Sequence, residues 1–212
     1  MSLLPPDEDL DLLHTRNYEV RVYQHSDDEL LVRGAVSDLK PPGLYVKEDA
    51  APLEMHQMQI ELRVGLPKLT ITAAQVLFET HPHSSCPRIA DDYTRLVGLS
   101  IARGFNHKIR DLFGGPRGCT HTNALLQAIA PAVVQSTWSV SIRKARSANA
   151  PLGAATQPER ERRIGANANT CHIWDEEGEH VAALRRGERS GYPPLSVKER
   201  LEELGTKDEQ WD

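Results

Sequence analysis

EMHQMQIELRV (54–64) decides the fold class. Met58, Ile60, Leu62 and Val64 alternate with Gln57, Gln59, Glu61 and Arg63. Successive side chains of a strand point to opposite faces, so this period of two describes a half-buried strand. Upstream, Tyr18, Val20 and Val22 alternate with Glu19 and Arg21. HSDDE (25–29) has turn chemistry and LLVRGAV (30–36) can return as a second strand, which together make a hairpin. KPPGLY (40–45) breaks the pattern. Downstream of Gly65-Leu66-Pro67, LTITAAQVLFE (69–79) supplies a fourth strand whose apolar phase slips at Ala73–Ala74, the signature of a bulge.

The second half changes period. Residues 86–99 form a helix with Ile89, Tyr93, Leu96 and Val97 on one side. Asn106 caps a short helix that stops at Gly114 and Gly115. The longest helix begins near Gly118, with Thr122, Leu126, Ile129 and Val133 as its apolar stripe. Pro131 kinks or splits it. Residues 144–168, with PERERR, read as a solvated connection, and DEEGEH (175–180) as a turn. LSVKERLEEL (195–204) is a closing helix capped by Ser196. Strands first and helices after predict an α+β fold: an antiparallel sheet of about four strands from the N-terminal half, covered by helices from the C-terminal half. The organisation expected is a loose leader over 1–13, one α+β domain over 14–185, and a tail with a short helix over 186–212.

Composition narrows the function classes. The 212 residues carry a formal net charge of -5, which argues against general nucleic-acid binding. No 18-residue apolar run is evident, which predicts no membrane span. The acidic, proline-containing start MSLLPPDEDLDLL is unlike a signal peptide, so a cytoplasmic address is expected. Three cysteines, an odd number, predict reduced thiols rather than a disulfide framework.

Each thiol has histidine or a tight turn beside it. Cys86 ends HPHSSC, Cys119 lies in GGPRGCTH (114–121), and Cys171 precedes His172 in NTCH (169–172). Thiolate and imidazole are the donors that zinc and iron–sulfur clusters take. With no CxxC pair, the fold itself would have to assemble a site from Cys86, Cys119, Cys171, His121 and His172. Asp92 is a further candidate ligand. Equally, a free cysteine often serves as a small apolar side chain. Cys119 has its own argument, because a thiol at a helix N-terminus is favoured as thiolate. Arg117 adds positive charge, and the backbone at Gly118 and its neighbours can close around an anion. Cys119 is then a candidate nucleophile with His121 or His172 as base. The segment lacks the Gly-Lys-Ser/Thr ending of a Walker loop. His56 and His107 read as surface or half-buried polar residues. His14 reads as structural, within reach of the site.

LHTR (13–16), EMHQMQIELRV, Cys86-Pro87, GGPRGCTH and NTCH together resemble a bacterial family of unknown function, domain-of-unknown-function family 2889, over roughly residues 12 to 185. The resemblance implies that all three cysteines lie in family motifs; it implies no activity. More distantly, the order of Cys86, Cys119 and Cys171, with a Gly-Cys turn opening a long helix, is similar to iron–sulfur scaffold proteins of the NifU/IscU type. Cys86 is followed by proline where those scaffolds have Gly-Asp. Three readings follow. One is a Cys/His site that binds zinc or an iron–sulfur cluster or handles sulfur. The second is a thiol enzyme using Cys119. The third is an accessory subunit with structural cysteines that docks on a protein partner or larger complex.

Overall fold

The structure is a computed structural model and describes residues 4, 9–102, 104–152, 156–188 and 191–211. Four strands, β1 (Thr15–Gln24), β2 (Glu29–Lys40), β3 (Leu53–Gly65) and β4 (Thr70–Thr80), form one antiparallel sheet in the order β1-β2-β3-β4. The fold is α+β, as the order of periodicities predicts. HSDDE closes the first hairpin, where the amides of His25 and Ser26 both donate to the Glu29 carbonyl. Slips occur where β4 carries one residue more than β3. Arg63 pairs with Ala73 while Val64 pairs with Ile71, so the extra residue is Thr72, one position before the predicted slip.

One face of the sheet makes the core. Leu30, Val32 and Val36 of β2 and Met58, Ile60, Leu62 and Val64 of β3 are all buried. Each strand keeps a single parity because its partner covers the same face at every second position. Helix α2 (Thr120–Ser147) lies on this face through Leu125 and Ile129. Gly34 permits the approach: a Cβ there would stand 2.8 Å from Ile129 Cδ1 and 3.2 Å from Leu125 Cδ1.

The helical half differs in detail from the sequence pattern. Cys86–Leu96 is a 3₁₀ helix with Tyr93 and Leu96 buried, and Val97 faces solvent. With about three residues per turn, Tyr93 and Leu96 align and Val97 falls off their row. Helix α1 (Phe105–Phe113) is preceded by Gly104 in a left-handed conformation, so Asn106 is inside it rather than its cap. Helix α2 starts at Thr120, two residues after Gly118, and continues through Pro131. By length and composition α2 is long and apolar enough to cross a membrane, which corrects the reading that no such stretch exists. Its Leu125, Leu126, Ile129 and Val133 are buried in the protein.

By contacts the chain divides into two compact units, residues 1–138 and 139–212. In the second, PERERR is not a loop. It forms helix α3 (Gln157–Asn167), entered through a capping box between Thr156 and Glu159. DEEGEH leads directly into helix α4 (Glu179–Arg185). Ile164, Val181 and Leu184 cluster with Trp174. Helix α5 (Leu195–Leu204) is capped by Pro194, with Ser196 inside it.

Candidate functional site

The apolar series on β2 ends in a carboxylate. Leu30, Val32 and Val36 are followed in the same phase by Asp38, which is 2 % exposed. The sheet register puts Arg16 of β1 opposite Asp38, and Asp38 opposite His56 of β3. Directly opposed residues of antiparallel strands share a face, so a charged row crosses three strands at the end of the core. The register breaks immediately beyond it, between Asp38 and Leu39, because β3 carries Met55 as an extra residue. A bulge re-aims side chains at a sheet end.

Helix α2 supplies the remaining group. His121, Leu125 and Ile129 stand four residues apart and so share one row of the helix. Leu125 and Ile129 pack over Gly34. His121, one turn earlier, reaches Asp38 with Nε2 3.1 Å from Oδ2.

Asp38 is the hub. The Arg16 guanidinium donates twice, Nε to Oδ1 at 2.6 Å and Nη2 to Oδ2 at 2.7 Å. His14 Nε2 is 3.3 Å from Oδ1, and His56 Nδ1 is 3.1 Å from Oδ2. The Arg16 hydrogen bond dominates and holds the Asp38 carboxyl down at about 2, against the opposing effect of burial. Asp38 is therefore an anion at every ordinary pH. Burial pushes His121 below the usual imidazole range. His56 pushes it the same way and Asp38 opposes. The His56 and His121 rings stack with centroids 3.9 Å apart, at 26° to each other. His56 Nδ1 is shielded from solvent and makes no hydrogen bond, although it is close to the carboxylate.

Cys119 lies on the other side of His121, its Sγ 3.7 Å from Nδ1. The Cys119 carbonyl accepts the Asn123 amide at 2.9 Å, so the thiol sits at the N-cap of α2. Around it the turn is tightly packed. At Gly118 a Cβ would come within 2.4 Å of the Phe113 carbonyl oxygen and 3.0 Å of the Tyr93 hydroxyl. That hydroxyl accepts the Cys119 amide at 2.8 Å and donates to Asn123 Oδ1 at 2.9 Å. Burial pushes the Tyr93 phenol up to about 12, so it stays neutral.

Of the residues singled out from sequence, Cys119 and His121 come together. Cys86 is half-buried at the start of the 3₁₀ helix, while Asp92 is exposed. Arg117 gives its Nη2 to the Asp111 carbonyl at 3.1 Å, and Gly118 packs closely against Phe113 and Tyr93. Cys171 is exposed and belongs with His172 to the second unit. All three cysteines are free. Among the described residues, the cluster of three metal-ligand side chains is Asp38, His56 and His121, whose donor atoms lie within 4.8 Å of one another. It contains no cysteine. Asp38 goes unnoticed in the motifs, although its phase on β2 signals it: a carboxylate where the core face requires an apolar residue.

A family model described as "Protein of unknown function (DUF2889)" matches residues 14–135. The chain belongs to this family. The match contains His14 to Arg16 of LHTR, Asp38, His56, Cys86 and GGPRGCTH. It stops short of NTCH, so the resemblance spans less than residues 12 to 185, and Cys171 and His172 lie outside it. No curated protein and no solved structure matches the chain. The likeness to NifU/IscU-type scaffolds accordingly finds no support. In this DUF2889 protein the matched span holds every member of the Asp38 cluster.

Proposed function

We propose that this DUF2889 protein binds a divalent transition metal through Asp38, His56 and His121. The orphaned, solvent-shielded Nδ1 of His56 beside the Asp38 carboxylate carries this reading. A buried nitrogen without a partner is costly, and a cation is a partner of the right kind. Two imidazoles and one carboxylate suit zinc or ferrous iron better than a cluster that needs thiolates. Both nitrogens stand 3.1 Å from Oδ2. Donors at that separation, each about 2.1 Å from an ion, subtend about 95° there. The near-parallel rings must splay for both lone pairs to meet it. Arg16 fits the role of a partner that orients the ligating carboxylate, while its charge moderates affinity. The test uses chelator-stripped, reduced protein titrated with zinc or cobalt(II). One equivalent should bind, and His56→Ala and His121→Ala should lose it. Uptake below about a tenth of an equivalent, where a structural or catalytic site would fill, sinks the reading.

A second reading rests on a different observation. Cys119 Sγ, His121 and Asp38 form a chain with links of 3.7 and 3.1 Å, the order of nucleophile, base and orienting carboxylate. It calls for His121 protonated on Nε2, with Nδ1 free to take the thiol proton. It predicts that Cys119 is alkylated at neutral pH much faster than a free thiol; an ordinary rate removes it.

A further inference from the structure

His121 turns its two nitrogens to different partners. Nε2 faces Asp38 Oδ2 at 3.1 Å and Nδ1 faces Cys119 Sγ at 3.7 Å. The nitrogens of an imidazole point to roughly opposite sides of the ring. An ion held on Nε2 is therefore screened from Cys119 by the ring itself. A direct bond from Cys119 to the same ion would need the thiol to leave its place. The backbone that carries the thiol is strongly held: the Cys119 amide is bonded to Tyr93, Tyr93 to Asn123, and Asn123 Nδ2 to the Phe113 carbonyl at 2.7 Å. Tyr93 is 1 % exposed and stacks on Phe113 with centroids 4.5 Å apart. Gly118 closes the remaining space, since any Cβ there meets Phe113.

Resting on the metal reading above, we propose that Cys119 is a positioning residue of the site and not a ligand. Its sulfur accepts the Nδ1–H of His121, which leaves the Nε2 lone pair for the ion and fixes the ring. Partners of this type, one shell out from the metal, orient ligating histidines and raise their basicity. The GGPRGCTH turn, gripped by Tyr93 and Phe113, delivers the sulfur to that point.

Cobalt(II) loaded into reduced, full-length protein tests this. The wild-type spectrum should show ligand-field absorption without a sulfur-to-cobalt charge-transfer band. Cys119→Ala should weaken cobalt binding about tenfold, the lower end of such effects. Cys119→Ser, whose hydroxyl can accept the same hydrogen, should recover most of the loss. In the zinc-loaded protein, nitrogen-15 spectra should place the His121 proton on Nδ1. A charge-transfer band that vanishes in Cys119→Ser would make the cysteine a ligand and overturn the proposal. A folded Cys119→Ala with wild-type affinity, or a loaded His121 protonated on Nε2, would do the same. Should the alanine variant not fold, the wild-type spectrum and the His121 tautomer still decide. Wild-type protein that takes up no cobalt would remove the site reading itself and this proposal with it. Cobalt uptake with any of the contrary results would remove only the role of Cys119.

Discussion

The two ends of one sheet face follow different rules. Toward the first hairpin, Leu30, Val32, Leu62 and Val64 are buried against apolar neighbours, and their stabilisation grows with the area removed from water. At the opposite end, the same phase of the same strands presents Asp38 and His56, with Arg16 alongside and His121 above. Burying charge there costs desolvation that only pairing offsets. A sheet that spends its core face on a charged row gives up stability at that row. This is the reason to look for chemistry there rather than at the apolar end.

Substitutions at the two ends should therefore separate stability from binding. Leu62→Ala should lose about 3–4 kcal/mol in urea melts, because a fully buried leucine leaves a cavity, while metal stoichiometry in the folded fraction stays at one. If it abolishes binding in folded protein, the two ends are not independent. Asp38→Asn should cost about 2–3 kcal/mol at neutral pH by leaving Arg16 without its counter-ion, discounted because Arg16 is partly exposed. It should also abolish metal binding. A stable, metal-competent Asp38→Asn would make the row incidental.

Acid should act on the polar end alone. The Asp38 carboxyl is held at about 2 in the folded chain, below its ordinary 3.8. Its contribution is complete above the ordinary value and is lost as pH falls through about 2. The sign follows because the unfolded chain takes up the proton first. The difference is about 2 kcal/mol. Buried His121, held below the usual range, works in the same direction at milder acidity: the unfolded chain takes up its proton first as pH falls. Urea melts of metal-free protein should show wild type losing stability from pH 4 to 2 more steeply than Asp38→Asn; parallel curves would contradict the pairing. The smallest stability effect belongs to His56→Ala, expected below about 1 kcal/mol for a half-buried side chain with no hydrogen bond from Nδ1. Calorimetry should nevertheless find the metal site gone, and that contrast is the sharpest form of the comparison.

Much of the sheet was legible because its signal is local. The alternation from Met58 to Val64 fixed which side chains are buried, and the bulge was misplaced by a single residue. The helical half was harder. PERERR reads as solvated because its arginines are charged, yet Arg163 lies 5.4 Å from the Trp174 ring and 4.5 Å from the Tyr192 ring, and Ile164 is buried. Long cationic side chains cover apolar surface in ways that composition hides. Cys119 and His121 were recognisable as a pair because a single residue, Thr120, separates them. Asp38 and His56 were not: no motif surrounds Asp38, and the strand pattern of EMHQMQIELRV does not mark His56 apart from its polar neighbours.

Local pattern alone carries the four strands of the N-terminal half, the α+β class, the glycine turn that brings Cys119 to a helix N-terminus, and the resemblance to the family. Period and turn chemistry act over a few residues, and the chain records them directly. Which groups meet depends on long-range packing and register. Arg16, Asp38 and His56 are neighbours through the β1–β2–β3 register, and His121 joins them because Gly34 lets α2 lie close to the sheet. Those contacts join residues 18 to 83 positions apart, a distance over which packing and register, not local pattern, select the partner.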